Sequence, residues 1–194
     1  MNKVAEPAKR AECAQRKVFF DIDTQYDFMN PEGLLYVRGA EKIVPNLRKI
    51  TALACRYGIP VVSTLDWHTR RDPEFKVFPE HCVRNTSGAA KIPATTASGI
   101  EQVMVRKCTC DAFSNPRTKR LLSGFTDVYV YGVALDYCVK AACLGAVKLG
   151  LRVYLIKDAT KAVSPETGRA AIKLLRSRGV SFITIRGLQR RIVR

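Results

Sequence analysis

The sequence is poor in histidine and acidic residues and has no long apolar run. No stretch approaches the ~18 consecutive apolar residues of a membrane helix, and residues 1–17 lack the apolar core of a signal peptide. We therefore expect a cytoplasmic protein that does not enter a membrane. Internal repeats, linkers and low-complexity segments are also missing. We therefore expect a single domain that spans residues 1–194 and includes a basic N-terminal arm at residues 1–16.

The cysteines lack the spacing of zinc fingers. There are seven of them, an odd number, in a chain expected to stay in a reducing compartment, so reduced thiols are favoured over a disulfide framework. This removes the commonest structural reason for keeping Cys138. That residue is either a nucleophile or a small apolar residue of the core.

The formal charge is +16, because 33 basic residues face only 17 acidic ones. Such an excess favours non-specific contact with nucleic acid or anionic lipid. The basic residues are scattered along the chain, and no aromatic-interleaved RNA-binding motif accompanies them. A solvated basic surface is the preferred interpretation, and a nucleic-acid-binding protein is an alternative.

Six short, nearly continuous apolar runs alternate with helical patterns, as expected for strands buried on both faces. The runs lie at residues 17–22, 60–65, 102–107, 127–133, 152–158 and 180–185, and the helical patterns at residues 41–58, 116–124, 137–150 and 164–179. The alternation predicts an α/β fold of three layers, a parallel sheet with helices on both faces and right-handed crossovers.

Reactive side chains occur where four of these strands should end. They are Asp23, Asp66 with His68, Lys107 and Cys138. Ligands of parallel sheets bind beyond the carboxyl ends of the strands, so these side chains can converge. A helix start and the Lys107 ammonium would lower the pKa of Cys138, and Asp23 could exchange a proton with it. Taken singly, each could instead be a surface, ion-pair or core residue.

Both histidines lie in the segment 66–99, which is too long for a simple connection and is expected to build a metal or substrate site. Alternate residues of an extended segment point the same way, so Asp66 and His68 can act together, and His81 can complete the set. One carboxylate and two imidazoles suit one divalent ion, zinc or else iron or manganese. A structural pair of histidines is the alternative.

Five motifs follow one another between residues 17 and 185. They are D-x-Q-x-D-F at 23–28, D-W-H at 66–68, P-x-H-C-V at 79–83, Lys107, and G-V-A-L-D-Y-C-V-K-A at 132–141. In this order they resemble the nicotinamidase branch of the isochorismatase-like cysteine hydrolases. The last motif is highly specific.

The resemblance implies a six-stranded parallel sheet and a catalytic triad of Asp23, Lys107 and Cys138. It also implies a cis peptide bond between Val133 and Ala134, and an oxyanion hole formed by the backbone N–H groups of Ala134 and Cys138.

The resemblance further implies a metal ion, held here by Asp66, His68 and His81, that binds the substrate's ring nitrogen. Phe28 and Trp67 are the candidates for holding the ring by stacking, with a core role as the alternative for Phe28. The implied activity is hydrolysis of the linear amide bond of nicotinamide to nicotinate and ammonia through a thioester, a step of NAD salvage. Relatives are often dimers or tetramers, so a homo-oligomer is expected.

The chain departs from the family pattern at two positions near the expected pocket. Phe78 stands where the family usually has tryptophan, and Asp111 replaces a small residue. Another small carboxamide or carbamoyl amide is therefore the alternative substrate. Cys108 and Cys110 have no assigned role: a C-x-C pair could carry thiol chemistry, or the two could be ordinary alternate residues at a strand end.

Overall fold

A six-stranded parallel sheet forms the centre of the computed structural model, which describes residues 16–193. The strands are β1 (Lys17–Ile22), β2 (Val61–Asp66), β3 (Gln102–Lys107), β4 (Asp127–Val133), β5 (Arg152–Lys161) and β6 (Ser181–Ile183). Their order is β3-β2-β1-β4-β5-β6, and all neighbours are parallel. The predicted sheet is confirmed, whereas the predicted N-terminal arm, apart from Arg16, lies outside the described residues.

Helices cover both faces of the sheet. They are α1 (Tyr26–Met29), α2 (Val44–Tyr57), α3 (Pro116–Leu122), α4 (Lys140–Lys148), α5 (Pro165–Ser177) and α6 (Ile185–Ile192). Successive side chains of a strand point to opposite faces, so Phe19 packs with α2 and α6, whereas Phe20 packs with α3, α4 and α5. The predicted three-layer α/β architecture is thereby confirmed. None of the helices described is long and apolar enough to cross a bilayer.

The helix boundaries follow local signals in the sequence. Pro165 opens α5, and the Ser164 hydroxyl accepts a hydrogen bond from the Thr167 N–H at 3.1 Å, which satisfies one of the free donors of the first turn. Helix α2 ends at Gly58, whose φ of +62° is the left-handed conformation that favours glycine.

The predicted last strand, residues 180–185, is wrong at its C-terminal end. β6 stops at Ile183, because the Thr184 hydroxyl accepts a hydrogen bond from the Gly187 N–H and starts α6. The apolar residues of α6, Ile185, Leu188 and Ile192, recur at helical spacing and are buried. This helix was not predicted, although its apolar spacing is a sequence signal for it.

The strand order places a crevice at the centre of the sheet. β1 and β4 are neighbours, yet the chain continues from β1 to β2 on one side and from β4 to β5 on the other. At such a switch point the connections diverge and leave space above the carboxyl ends of the strands, where ligands of open α/β sheets bind.

Candidate active site

A cavity of about 210 Å³ opens at this edge of the sheet. Its wall is mostly apolar, and a few polar side chains converge on it, as in most small-molecule sites. The lining residues are Phe28, Leu35, Tyr36, Val37, Asp66, Glu74, Phe78, His81, Cys110, Val133, Ala134, Tyr137, Cys138 and Val163.

Lys107 brings the predicted triad together. Its Nζ lies 2.7 Å from the Asp23 carboxylate and 3.5 Å from the Cys138 sulfur, and it also contacts the Asp66 carboxylate. Asp66 and Lys107 are register partners at the ends of β2 and β3, which explains their contact. All four side chains are buried. The three residues predicted from distant segments therefore form one cluster.

Asp23 is fixed by its backbone and by a neighbouring strand. It follows β1 directly with a φ of +49°, an uncommon conformation for a residue other than glycine. Its N–H donates to the Thr64 carbonyl at 3.3 Å, and the Thr64 hydroxyl donates to its carboxylate at 2.6 Å. The Asp23 carboxylate is thereby aimed at Lys107.

The Lys107 ammonium stays charged in the buried site. Burial alone would lower the pKa of Lys107, but the charges of Asp23 and Asp66 outweigh it and hold the pKa well above its usual value. Burial would raise the pKa of Asp66, but Lys107 together with both histidines holds it well below its usual value. Asp66 is therefore a carboxylate at neutral pH.

The remaining two members of the triad have raised pKa values. Burial raises the pKa of Asp23 in spite of the opposing charge of Lys107. The pKa of Cys138 is also well above its usual value, because its interaction with the Cys110 thiol and its burial both raise it, and Lys107 only partly opposes this. Lys107 lowers the pKa of Cys138, as expected, but the effects of Cys110 and burial outweigh it in the resting protein. Cys138 lies in a π-helical turn, Leu135–Val139, that precedes α4.

Three buried side chains form a set suited to a divalent metal ion. The Nε2 atoms of His68 and His81 lie 3.9 and 3.8 Å from the Asp66 carboxylate, and one donor atom from each residue lies within 4.8 Å of the others. Although buried, Nε2 of His68 has no hydrogen-bond partner in the described part of the chain. A buried polar atom rarely lacks a partner, and a bound ion would supply one. Two imidazoles and a carboxylate therefore fit the predicted ion.

Two further groups orient the imidazoles, and neither was predicted from the sequence. Nδ1 of His81 makes a hydrogen bond of 2.7 Å with the Pro79 carbonyl oxygen, and Nδ1 of His68 lies 3.1 Å from the Asp72 carboxylate, an ion-pair contact without hydrogen-bond geometry. Such partners fix the ring orientation and leave the opposite nitrogen for a metal. The carboxylate four residues after His68 was the available sequence signal for Asp72.

A short backbone pairing places His81 near His68. The His68 N–H donates to the Cys82 carbonyl at 3.1 Å, and the Arg84 N–H donates to the His68 carbonyl at 2.9 Å. The Cys82 side chain turns away toward the Gly88 carbonyl. Two sequentially separate histidines thus share one side of the loop.

Gln25 and Asp27 fasten this loop to the sheet. The Gln25 amide donates to the carbonyls of Asp66 and Ala89 at 2.8 and 2.9 Å, and its oxygen accepts from the Asp66 N–H at 2.7 Å. The Asp27 carboxylate accepts from the Cys82 N–H at 2.7 Å. Neither role was predicted from the sequence, because both depend on contacts between distant segments.

Of the residues predicted for the oxyanion hole, Ala134 directly follows β4 and Cys138 lies in the π-helical turn after it. The peptide bond between Val133 and Ala134 is cis, as predicted. Ala134 and Cys138 both line the cavity. Gly132 is required here, because its φ is +112° and a Cβ would lie 2.1 Å from the Ile22 carbonyl oxygen.

Of the two predicted ring contacts, only Phe28 lies in the cavity, with its ring centroid 5.5 Å from that of His81. Trp67 is not among the described residues that line it, so the structure does not support this prediction. The alternation that brings Asp66 and His68 together turns Trp67 away, and Arg106 lies over its ring at 4.2 Å. Phe78 and Tyr137, 6.0 Å apart, supply aromatic wall instead.

Cys108, Cys110 and Asp111, which follow β3, lie in different surroundings. Cys110 lines the cavity, whereas Cys108 is exposed and its thiol donates to the Trp67 carbonyl at 3.2 Å. Asp111, expected near the pocket, is exposed, and its carboxylate accepts from the Phe113 N–H at 2.9 Å. It caps a short 3₁₀ turn and does not line the pocket.

Comparison with known families adds a decisive observation. A family model described as an isochorismatase domain matches residues 17–186. The chain belongs to the isochorismatase family. Nicotinamidases are among its relatives within this family, which confirms the resemblance inferred from the motifs.

Three members of the isochorismatase family illustrate the likeness. The nicotinamidase/pyrazinamidase of Mycobacterium tuberculosis is 30% identical over 84% of this chain and 95% of that protein. A probable inactive nicotinamidase of Arabidopsis thaliana is 28% identical over 84% of this chain and 90% of its own length. The crystal structure of Pyrococcus horikoshii pyrazinamidase in complex with zinc superposes with a TM-score of 0.81 and 32% identity, over 87% of this chain and 99% of that one. This chain is therefore an isochorismatase-family hydrolase similar to nicotinamidases.

Proposed function

We propose that this hydrolase converts nicotinamide to nicotinate and ammonia through a thioester on Cys138. Relatives include both a nicotinamidase and a probable inactive one, so family membership alone does not decide activity. The observation that supports the proposal is the contact of Lys107 with both Asp23 and Cys138, beside a cavity that Cys138 lines together with Asp66 and His81 of the metal-binding set.

The cavity suits a flat, uncharged aromatic amide. Phe28, Phe78 and Tyr137 supply aromatic surface for the ring. A divalent ion on Asp66, His68 and His81 would supply a Lewis acid that binds the ring nitrogen and so directs the carboxamide toward Cys138. Zinc is the ion we propose, because its donor preferences match this set and because the Pyrococcus horikoshii structure contains it.

Acylation begins with transfer of the Cys138 proton to Asp23. The raised pKa of Asp23 suits it to hold this proton, and Lys107, 3.5 Å from the sulfur, stabilises the thiolate that forms. The thiolate attacks the amide carbon, and the N–H groups of Ala134 and Cys138 stabilise the oxyanion. Asp23 then protonates the leaving nitrogen, the C–N bond breaks, and ammonia departs.

Deacylation uses the same carboxylate in reverse. Asp23, again ionised, takes a proton from a water molecule whose oxygen attacks the thioester carbon. The C–S bond breaks, Asp23 returns the proton to sulfur, and nicotinate leaves. One acid/base residue therefore serves both half-reactions, and Lys107 balances its charge.

A different small carboxamide or carbamoyl amide is the second candidate substrate. Glu74 favours it, because this carboxyl lines the cavity although neither the triad nor the metal-binding set requires it. Burial and the charge of Asp66 raise its pKa. A substrate with a polar substituent opposite the amide would contact Glu74.

A substrate panel separates the two candidates. Ammonia release would be measured for nicotinamide, pyrazinamide, benzamide and an N-carbamoyl amino acid, using zinc-loaded protein. We expect the highest kcat/KM for nicotinamide, and a lower value for benzamide, which lacks a ring nitrogen. A preference for the carbamoyl compound, or equal rates for benzamide and nicotinamide, would contradict the proposal.

A further inference from the structure

A second thiol, that of Cys110, lies in the cavity beside Cys138. Both residues line the same cavity, and the interaction of the two thiols raises the pKa of Cys138 and lowers that of Cys110. Cys110 belongs to neither the triad nor the metal-binding set. The pairing of two thiols in a site that must admit a small substrate therefore requires its own explanation.

The loop that carries Cys110 is held from both sides. The Thr109 hydroxyl lies 3.1 Å from that of Ser114, and the Asp111 carboxylate accepts from the Phe113 N–H. The Phe113 ring packs against α4, so closely at Gly145 that a Cβ there would lie 2.1 Å from the ring. Because α4 follows the turn that carries Cys138, this contact fixes the two thiols relative to each other.

We propose that Cys110 is a redox modification site, which forms a reversible disulfide with Cys138 when hydrogen peroxide enters the cavity. The disulfide removes the nucleophile and so stops hydrolysis until a thiol reductant restores it. This inference rests on the proposed nucleophilic role of Cys138, but not on the identity of the amide.

The chemistry needs only the two thiols and one peroxide. Cys138 first passes its proton to Asp23, as in acylation, and the thiolate attacks a peroxide oxygen; the O–O bond breaks, Asp23 returns the proton to the departing hydroxide, and water leaves as a sulfenic acid forms on Cys138. The Cys110 sulfur then attacks the Cys138 sulfur, the S–O bond breaks, and a second water leaves as the S–S bond forms. Two thiols are oxidised and one peroxide is reduced to two waters. Without Cys110, the sulfenic acid would be exposed to further oxidation to sulfinic acid, which thiol reductants do not reverse.

The other described cysteines are arranged differently. Cys82 and Cys143 are buried outside the cavity lining, and Cys55 belongs to α2. Cys108 is exposed and hydrogen bonded to Trp67, so Cys108→Ser is a matched control two residues from Cys110.

Mass spectrometry tests the bond directly. Trypsin releases Cys110 in peptide 108–117 and Cys138 in peptide 121–140. After peroxide treatment, we expect these two peptides to be linked in the wild type and in Cys108→Ser, and unlinked in Cys110→Ser. If the link is absent from the wild type, or persists in Cys110→Ser through Cys108, the proposal is wrong. This readout does not depend on amidase activity, so its failure is distinguishable from failure of the proposed function.

Recovery of amidase activity after reduction tests whether Cys110 protects Cys138 from irreversible oxidation. Each protein would be treated with peroxide and then with dithiothreitol, and its ammonia release compared with its own untreated rate. Wild type and Cys108→Ser should regain most of the lost activity, whereas Cys110→Ser should stay inactive and carry sulfinic acid on Cys138. Equal recovery of Cys110→Ser and wild type would overturn a protective role for Cys110.

Discussion

At the scale of single residues, the site depends on one ammonium shared between two carboxylates. Lys107 contacts the carboxylates of both Asp23 and Asp66, yet the pKa of Asp23 is raised and the pKa of Asp66 is lowered. Asp66 is held ionised by Lys107 and the histidines, whereas burial dominates at Asp23. Beside the same cation, one carboxylate is thus suited to the proposed metal ion and the other to the proposed proton transfer.

Asp23→Asn should remove the proton acceptor while keeping the shape of the side chain and an acceptor for the Thr64 hydroxyl. We expect kcat to fall by ~10²–10⁴-fold, the usual contribution of a general acid or base. Steady-state ammonia release measures this. Asp111→Asn is the matched control, because Asp111 is exposed and asparagine also caps turns. An unchanged kcat in Asp23→Asn would contradict the assigned role.

Sequence reasoning located the reactive residues because strand ends are a local signal. Asp23, Lys107 and Cys138 each follow an apolar run, and the carboxyl ends of parallel strands meet at one edge. The environment of these residues was not readable in the same way. The raised pKa of Cys138 depends on Cys110, which comes from a different loop. Trp67 stands between Asp66 and His68, so alternation along the extended segment turns it to the other side, where Arg106 lies over its ring.

At the scale of elements, loop 66–99 is positioned by side chains from the turn after β1. Gln25 makes three hydrogen bonds to the backbone, two of them to Asp66. Such long-range pairings have no local sequence pattern, which is why only the three-dimensional arrangement assigns them. The motif 23–28 therefore supplies both the residue proposed as acid/base, Asp23, and the support for the metal-binding set.

Gln25→Ala should weaken zinc binding, because it releases the backbone of Asp66. Outer partners of metal ligands typically contribute 10–100-fold to affinity, so a loss of roughly that size is expected in competition titrations with a chromogenic chelator. Gln102→Ala is the control, since its amide also makes three hydrogen bonds, to Ser63, Thr95 and Ala97. Equal zinc affinities of the two variants would refute the supporting role.

The start of β4 is tied to β5 by an ion pair that should depend on pH. The Arg152 guanidinium donates to the Asp127 carboxylate at 2.8 and 2.6 Å. Although burial opposes it, hydrogen bonding to Arg152 lowers the pKa of Asp127 below 3.8. A carboxyl whose pKa is lowered by folding stabilises the protein above its unfolded pKa and loses this effect as pH falls through its folded pKa.

Asp127→Asn should therefore be less stable than the wild type at pH 7, and the difference should shrink as the pH falls below about 4. Urea unfolding at several pH values measures this. A stability difference that grows toward low pH would have the wrong sign for the proposed cause.

At the scale of the whole molecule, part of the large positive charge has a structural role. Arg106, Arg176 and Arg191 lie over the rings of Trp67, Phe182 and Tyr154 at 4.2, 5.2 and 4.5 Å. Arginine on an aromatic face stabilises through both charge and packing. These contacts account for some of the basic residues without a nucleic-acid partner.

Metal binding should stabilise the whole fold, because the three ligands come together only in the folded chain. A ligand at 100 times its Kd adds about 2.7 kcal/mol to the free energy of unfolding. Chelation should therefore lower Tm, and zinc should restore it in the wild type but not in His81→Ala. A Tm that does not respond to zinc would contradict the metal site. Thermal unfolding needs no substrate, so this test is independent of the activity.

The most direct test of the account is the rate of ammonia release from nicotinamide by Cys138→Ala. The structure places this sulfur 3.5 Å from Lys107, in a cluster with Asp23, and the account makes it the nucleophile. Cys55→Ala, in α2, controls for loss of a thiol elsewhere, and the zinc-dependent Tm confirms that each variant is folded. The account predicts release at the level of the enzyme-free blank for Cys138→Ala and near wild type for Cys55→Ala. Sustained release by folded, zinc-loaded Cys138→Ala would contradict it.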